Sequence, residues 1–164
     1  MDSNTALSFE VAAGAETFVV ERARRADVPA IVDMLRDDVL GTGRESTDLA
    51  TYFAAFEAIE RSEEQLLALV RDAGGQAVAT MQLTLIPGLS REGATRLQIE
   101  GVRVAAAARS AGLGGAMLRW AADYGRYHGA RIAQLTTDKR RTDAHRFYER
   151  LGYVASHEGM KIEL

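Results

Sequence analysis

The sequence predicts a mixed α/β fold, a sheet that contains a hairpin as well as helical connections, with helices on its faces. Three stretches predict it. Gln76 to Ile86 sets Val78, Thr80, Gln82 and Thr84 against Ala79, Met81, Leu83 and Leu85, the period of a strand. Asp72-Ala-Gly-Gly, just before it, is a hairpin turn. Leu113 to His128 places Leu113, Met117, Trp120, Ala121, Tyr124 and Tyr127 near one stripe, the period of an amphipathic helix. At 164 residues the chain has room for one domain with a real core and little more.

The remaining elements follow in order. Residues 1–17 are rich in Ala, Ser, Glu and Gly with weak periodicity, and are expected to form a mobile or loosely packed leader before a domain of residues 18–164. Phe18-Val-Val-Glu-Arg-Ala reads as the first strand. Asp27 caps a helix that tolerates Pro29 in its first turn and carries Ile31, Met34 and Leu35 at helical spacing, up to Gly41-Thr-Gly43. Asp48 or Thr47 caps a second helix to about Arg61, with Tyr52, Phe53, Phe56 and Ile59 as its apolar stripe. Leu66 to Val70 is a strand. After the long strand, a loop over residues 86–95 leads to another strand, Arg96 to Val104. Gly129 ends the long helix, Arg131 to Thr137 is a strand, and Asp143 to Leu151 is a short helix stopped by Gly152. Tyr153 onward is expected to give two last strands, the second being Met160 to Leu164. The order from Phe18 is β-α-α-β-β-β-α-β-α-β-β, which is not a dinucleotide-binding unit.

The strand at 96–104 changes parity. Leu97 and Ile99 share one face, whereas Val102 and Val104 take the opposite parity, with Gly101 at the change. A β-bulge or splay at Glu100-Gly101 explains this; a strand buried on both faces is the alternative.

Composition excludes several classes. There is no cysteine, so no disulfide, thiolate nucleophile or cysteine metal site. The three histidines, His128, His145 and His157, match no zinc spacing, and no metal is expected. A formal charge of -3 lacks the basic excess of a duplex nucleic-acid binder. No apolar run approaches ~18 residues and no secretory signal is visible, so neither a membrane nor a nucleic-acid partner is expected and the cytoplasm is the default.

The chemistry concentrates in Val104-Ala-Ala-Ala-Ala-Arg109-Ser110-Ala111-Gly112-Leu113-Gly114-Gly115, between a strand and the best helix. Such a turn leaves backbone N–H groups unpaired at a helix N-terminus, where the glycines let an anion such as a pyrophosphate approach. A flexible turn whose glycines serve only packing is the other reading. The third spaced glycine of the dinucleotide fingerprint and the Lys-Ser/Thr of a Walker A loop are both missing.

This segment resembles the Arg/Gln-x-x-Gly-x-Gly/Ala signature of the GCN5-related N-acetyltransferases (GNAT superfamily), through Arg109, Gly112 and Gly114. Val104-x-Ala106 stands where the family usually has Val-x-Pro. Asp143-Ala144-His145-Arg-Phe147-Tyr148-Glu-Arg-Leu-Gly152-Tyr153 resembles its second block, Ala-x-x-Phe-Tyr-x-x-x-Gly-Phe/Tyr. The resemblance spans residues 18 to 164. The stretch from Leu135 to Tyr148 is also similar to aminoalkylphosphonate acetyltransferases.

The resemblance implies an acyl-CoA N-acyltransferase fold, a mostly antiparallel sheet splayed between strands 4 and 5, with acetyl-CoA in the splay. The backbone of Val102, Arg103 and Val104 would pair with the pantetheine arm. The amides of Arg109, Ser110, Ala111, Gly112, Leu113, Gly114 and Gly115 would cradle the pyrophosphate. Ala144 and Phe147, on the short helix of the second block, would complete that side of the site. The reaction needs a neutral amine to attack the thioester. Glu100 is the candidate base, directly or through water, and would also attract the cationic acceptor; a purely binding role is its alternative. Tyr148 is the candidate acid toward the thiolate, with a core phenol as its alternative. A strand N–H near Val102 or Arg103 would stabilise the oxyanion. Asp138 stands where many relatives have an asparagine that touches pantetheine, and an ionised carboxylate cannot donate. Lys139, Arg140 and Arg141 could meet the ribose phosphate of coenzyme A or an acceptor's anion, or be a solvated face. Tyr52, Phe56 and His145 are candidate acceptor contacts, against core and surface alternatives. Asp37, Asp38 and Glu57 could favour a polycation.

A small amine suits loop 86–95 closing over the cleft. A protein N-terminus or lysine is the competing acceptor, and a non-catalytic acyl-CoA-binding protein the third reading. Exposed sheet edges allow a homodimer.

Overall fold

The alternation over residues 77–86 becomes the central strand of a six-stranded sheet in the computed structural model, which describes residues 8–37 and 45–164. The strands are β1 (Ser8–Ala13), β2 (Glu16–Arg22), β3 (Gln65–Arg71), β4 (Ala77–Ile86), β5 (Thr95–Val104) and β6 (Ala130–Leu135). They lie side by side in chain order, every pair antiparallel except β5 and β6, which are parallel. A parallel pair needs a crossover, and α4 (Leu113–Tyr127) supplies it. The other helices are α1 (Val28–Arg36), α2 (Ala50–Glu60), the single turn α3 (Ser90–Gly93) and α5 (Thr142–Arg150).

Local chemistry sets the boundaries, although Asp27, expected to cap α1, makes no side-chain cap bond there and accepts from Arg24 N at 2.8 Å instead. Pro29 sits in the first turn of α1. The Asp48 carboxylate accepts from the Ala50 N–H at 3.0 Å, satisfying a donor that the first turn of α2 leaves open. Gly75 (φ 78°) turns the β3–β4 hairpin, where Gly75 N donates to Asp72 O at 2.9 Å. Gly129 (φ 78°) ends α4.

Two apolar clusters hold the sheet between helices. On one face Phe18, Val20, Leu66, Met81, Leu83, Leu97 and Ile99 pack against Leu113, Met117, Leu118 and Ala121 of α4. On the other, Val28, Ile31, Val32 and Met34 of α1 and Phe56 of α2 close over Leu69. Each fully buried leucine contributes about 1.5–3 kcal/mol relative to exposure.

Two expectations change. Residues 8–13, read as part of a leader, are an edge strand. They pair with β2 in unbroken register from Ser8↔Glu21 to Ala13↔Glu16, and Val11 and Ala13 join the core. Their small residues hide the period in the sequence, and pairing supplies what propensity lacks. The two C-terminal strands do not form. Met160-Lys-Ile-Glu-Leu164 keeps its alternation but lies against no strand, and Val154, Met160, Ile162 and Leu164 are all at least 80% exposed.

Candidate active site

β5 leads two lives along its ten residues. From Thr95↔Ala130 to Ile99↔Leu135 it pairs with β6, and there the pairing stops. Beyond Ile99 the strand keeps, among the described residues, its β4 neighbour alone, with Gln82↔Glu100, Thr80↔Arg103 and Ala79↔Val104. Between Gln82 and Thr80 the register slips by one residue, and Gly101 (φ 59°) takes the conformation that an L side chain resists. This is the bulge that the parity change predicts. It returns Val102 and Val104 to the face of Leu97 and Ile99, where both pack on the α4 core. It also turns Arg103, opposite Thr80, to the face of Glu100. In a count that starts at Phe18 these are strands 4 and 5, and they part as expected.

Glu100 is exposed, on the sheet face away from α4 and beside Gln82. Arg103 is half-buried, and its Nη1 donates to Val102 O at 2.8 Å. From Val104 the chain runs through a 3-10 stretch, Ala106–Ala111, into Gly112, which caps α4 at φ 73°, ψ 10°. A side chain in this left-handed conformation costs about 1–2 kcal/mol. The first helical bond of α4, Ala116 N to Gly112 O, is 3.2 Å long, which leaves the amides of Leu113, Gly114 and Gly115 at the open helix end. Gly114 has a further reason to be glycine. An added Cβ would lie 3.4 Å from the Phe147 ring and 3.8 Å from Val104, so its absence lets α5 close on the root of α4. Gly115 likewise lies close to Arg119 and to Leu151, just past α5.

Arg109 folds back on the protein. Its Nε donates to Val104 O at 3.0 Å and its Nη2 to the Asp37 carboxylate at 3.1 Å, which ties the glycine turn to the end of α1.

Tyr148 and Phe147 project from α5 onto the α4-side core, with their rings 5.3 Å apart. Burial pushes the Tyr148 phenol above its ordinary value, against the opposing pull of Arg141 and Arg103. The proton therefore stays on this hydroxyl at neutral pH, as an acid requires. Ala144, half-buried, lies one turn earlier on α5.

The segment from β6 to α5 is held by its own polar groups. Both Asp138 carboxylate oxygens accept from Arg140, from Nε at 3.0 Å and from Nη2 at 2.8 Å, and this pairing holds the carboxyl well below the usual carboxylate range. Asp138 is thus an acceptor already engaged. His145 Nε2 lies 3.2 Å from Asp138 O, and Arg141 N donates to that same carbonyl at 3.0 Å. Lys139 pairs with Glu158 at 2.9 Å. Thr137, which the sequence reading passed over, has a buried hydroxyl with no hydrogen-bond partner among the described residues, two residues beyond the end of β6. Nothing in its residue type marks it; only the parting of the strands does.

Tyr52, Phe56 and Glu57 lie on α2. Phe56 is 4% exposed, in the cluster that α1 and α2 form over Leu69. The Tyr52 hydroxyl donates to Glu45 at 2.8 Å and accepts from Ser46 N at 2.8 Å. Glu57 faces Arg25 at 3.8 Å. Asp38 lies outside the described residues, as do the side chains of Ser110 and Ala111. Loop 86–95 joins β4 to the start of β5, and at ~3.3 Å per residue Glu100 lies roughly 16 Å and Val104 roughly 30 Å along the strand from Thr95. The same loop holds Arg91 and Glu92 at φ 54° and 60°, and Glu92 reaches Arg131 at 3.7 Å.

The site thus offers an unpaired strand edge, a glycine-capped helix start and an orphan hydroxyl, which suits an extended ligand with an anionic middle. No helix among the described residues is long and apolar enough to cross a membrane, and none of their His, Asp and Glu side chains forms a group of three or more that could hold a metal.

Known proteins share this fold. The chain is 39% identical to a transcriptional regulator of Bacillus halodurans over 90% of its own length and 99% of that chain, with a TM-score of 0.85. It shares its fold with glucosamine-6-phosphate N-acetyltransferase of Arabidopsis thaliana, at 19% identity, TM-score 0.73, and coverage of 90% and 99%. A 45-residue stretch is 47% identical to aminoalkylphosphonate N-acetyltransferase of Salmonella typhimurium, and it covers 27% of this chain and 29% of that enzyme. The family model described as the acetyltransferase (GNAT) family matches residues 28–153. The chain belongs to the GNAT acetyltransferases, enzymes that acetylate an amine with acetyl-CoA.

Proposed function

We propose that this acetyltransferase acts on the primary amine of a small molecule by direct attack in a ternary complex, at the parting of β5 and β6. The observation that carries this is the end of β5–β6 pairing at Ile99↔Leu135, with Glu100 next on one strand and the glycine turn just beyond it. The backbone of Val102 to Val104 would hold the pantetheine arm as an added strand. The amides from Arg109 to Gly115 would hold the pyrophosphate, the helix end favouring its charge. Thr137 supplies the hydroxyl contact for which the engaged Asp138 is unsuited.

Acetyl-CoA brings an acyl thioester, and the chain's groups manage the protons. Glu100 takes the proton from the attacking amine, directly or through one water, and its charge draws a cationic acceptor. An amide near Val102 or Arg103 donates to the carbonyl oxygen as it gains charge. Tyr148 gives its proton to the departing sulfur. Local likeness to an aminoalkylphosphonate N-acetyltransferase supports a small acceptor.

The test is thiol release from acetyl-CoA against aminoalkylphosphonates, polyamines, aminoglycosides, amino acids and short peptides. Turnover confined to one small class, and weakened in Tyr148→Phe, is expected. Turnover of peptides alone would move the acceptor to protein, and acetyl-CoA binding without any turnover would favour a binding protein.

A further inference from the structure

The sheet face that carries Glu100 bears a row of amides. Gln98 and Gln134 stand directly opposite each other across β5 and β6, one pair before the strands part, and Gln134 Nε2 donates to Gln98 Oε1 at 2.7 Å. Gln82 stands opposite Glu100 on β4, and its Nε2 donates to Gln65 Oε1 on β3 at 2.7 Å. Alternation puts all four on the side away from α4, because Leu97, Ile99, Ala133 and Leu135 point into the α4 core. The second apolar cluster, under α1 and α2, includes no residue of β5 or β6. This part of the sheet is therefore polar and half-buried, one residue pair before β5 and β6 part, with the proposed base beside it.

A sheet face that serves only as core is apolar, and one that serves only as surface favours charge. Paired amides do neither well, since each amide pair still has a donor and an acceptor to satisfy. In the Gln98–Gln134 pair, among the described residues, the second hydrogen of Gln134 Nε2, the Gln98 Nε2 group and Gln134 Oε1 remain for another partner. That combination matches a hydroxyl or an amide, which gives and accepts at once.

We infer that Gln98 and Gln134 recognise the acceptor, and that the acceptor is an amine bearing a hydroxyl or amide group about five to six bonds from its nitrogen, the reach set by the ~6.6 Å between alternate residues of a strand. This rests on the proposed role of Glu100. Gln82, next to Glu100, continues the same floor.

The test compares aminopentanol with hexylamine, which exchanges a hydroxyl for a methyl at constant length. The wild type is expected to favour the amino alcohol by about tenfold or more in kcat/KM, through KM. Gln98→Leu with Gln134→Leu should reduce that ratio to about twofold or less, while acetyl-CoA affinity by calorimetry stays within about twofold of wild type. In labelled protein with coenzyme A present, the side-chain amide signals of Gln98 and Gln134 should move with aminopentanol and not with hexylamine. An unchanged preference in the double variant, or amide signals indifferent to the hydroxyl, would overturn the inference. Absence of thiol release from wild type with every amine would instead count against the catalytic reading, and the amide signals would still decide this one.

Discussion

The first half of β5 and its second half belong to one strand and obey different rules. Thr95 to Ile99 has a neighbour on each edge, and Leu97 and Ile99 are buried against α4. Glu100 to Val104 has lost one neighbour, takes a bulge, and exposes its carboxylate. The difference teaches where a sheet keeps stability and where it keeps chemistry. A backbone satisfied on both edges has nothing to offer a ligand, whereas one open edge offers a ladder of donors and acceptors.

The sharpest way to break that contrast is one substitution in each half. Leu97→Ala should lower unfolding free energy by about 2–5 kcal/mol in denaturant titration, with turnover per folded molecule near wild type. Glu100→Gln should lower kcat/KM by about 10²–10⁴-fold, with the denaturation midpoint almost unmoved. Comparable stability losses from both would mean that the second half is core as well.

Tyr148→Phe sharpens the chemical side. It should lower kcat by about 10²-fold and remove the alkaline limb of the pH–rate profile. Burial raises the Tyr148 phenol, so the protonated, active form persists as pH rises, and that limb should lie above the ordinary tyrosine value of about 10 in the wild type. A limb that persists in Tyr148→Phe would assign the acid elsewhere.

Much of this was legible in the sequence, for identifiable reasons. The switch from Leu97 and Ile99 to Val102 and Val104, with glycine between, encodes the bulge, because a one-residue slip reverses side-chain facing. Gly112 and Gly114 mark the turn because one needs positive φ and the other close packing. Information that depends on partners was not legible. Ser8–Ala13 is a strand because β2 is there to pair with it, and Met160–Leu164, with a better alternating pattern, is not one because no strand lies beside it. Loop 86–95 reads as a lid in the sequence, and only the topology shows that it enters at the start of β5. Phe56 and Ile59 look alike on paper, yet only the packing of α2 beside α1 on the sheet decides that Phe56 is core.

Smaller effects test the joint between the two halves and the helix that follows. Gly112→Ala should cost about 1–2 kcal/mol in stability, from its positive φ, and raise the KM for acetyl-CoA more than that for the amine. Asp37→Ala removes an exposed ion pair with Arg109 and should change stability by less than about 1 kcal/mol. A large loss there would mean that the tie from α1 to the glycine turn organises the site.

The most direct measurement is amide hydrogen exchange with and without acetyl-CoA. New protection is expected over residues 100–104 and 109–115, and little change over 95–99, whose amides are already in the ladder. Protection that appears elsewhere, or no protection at saturating acetyl-CoA, would contradict the assignment of the open edge of β5 as the cosubstrate's seat.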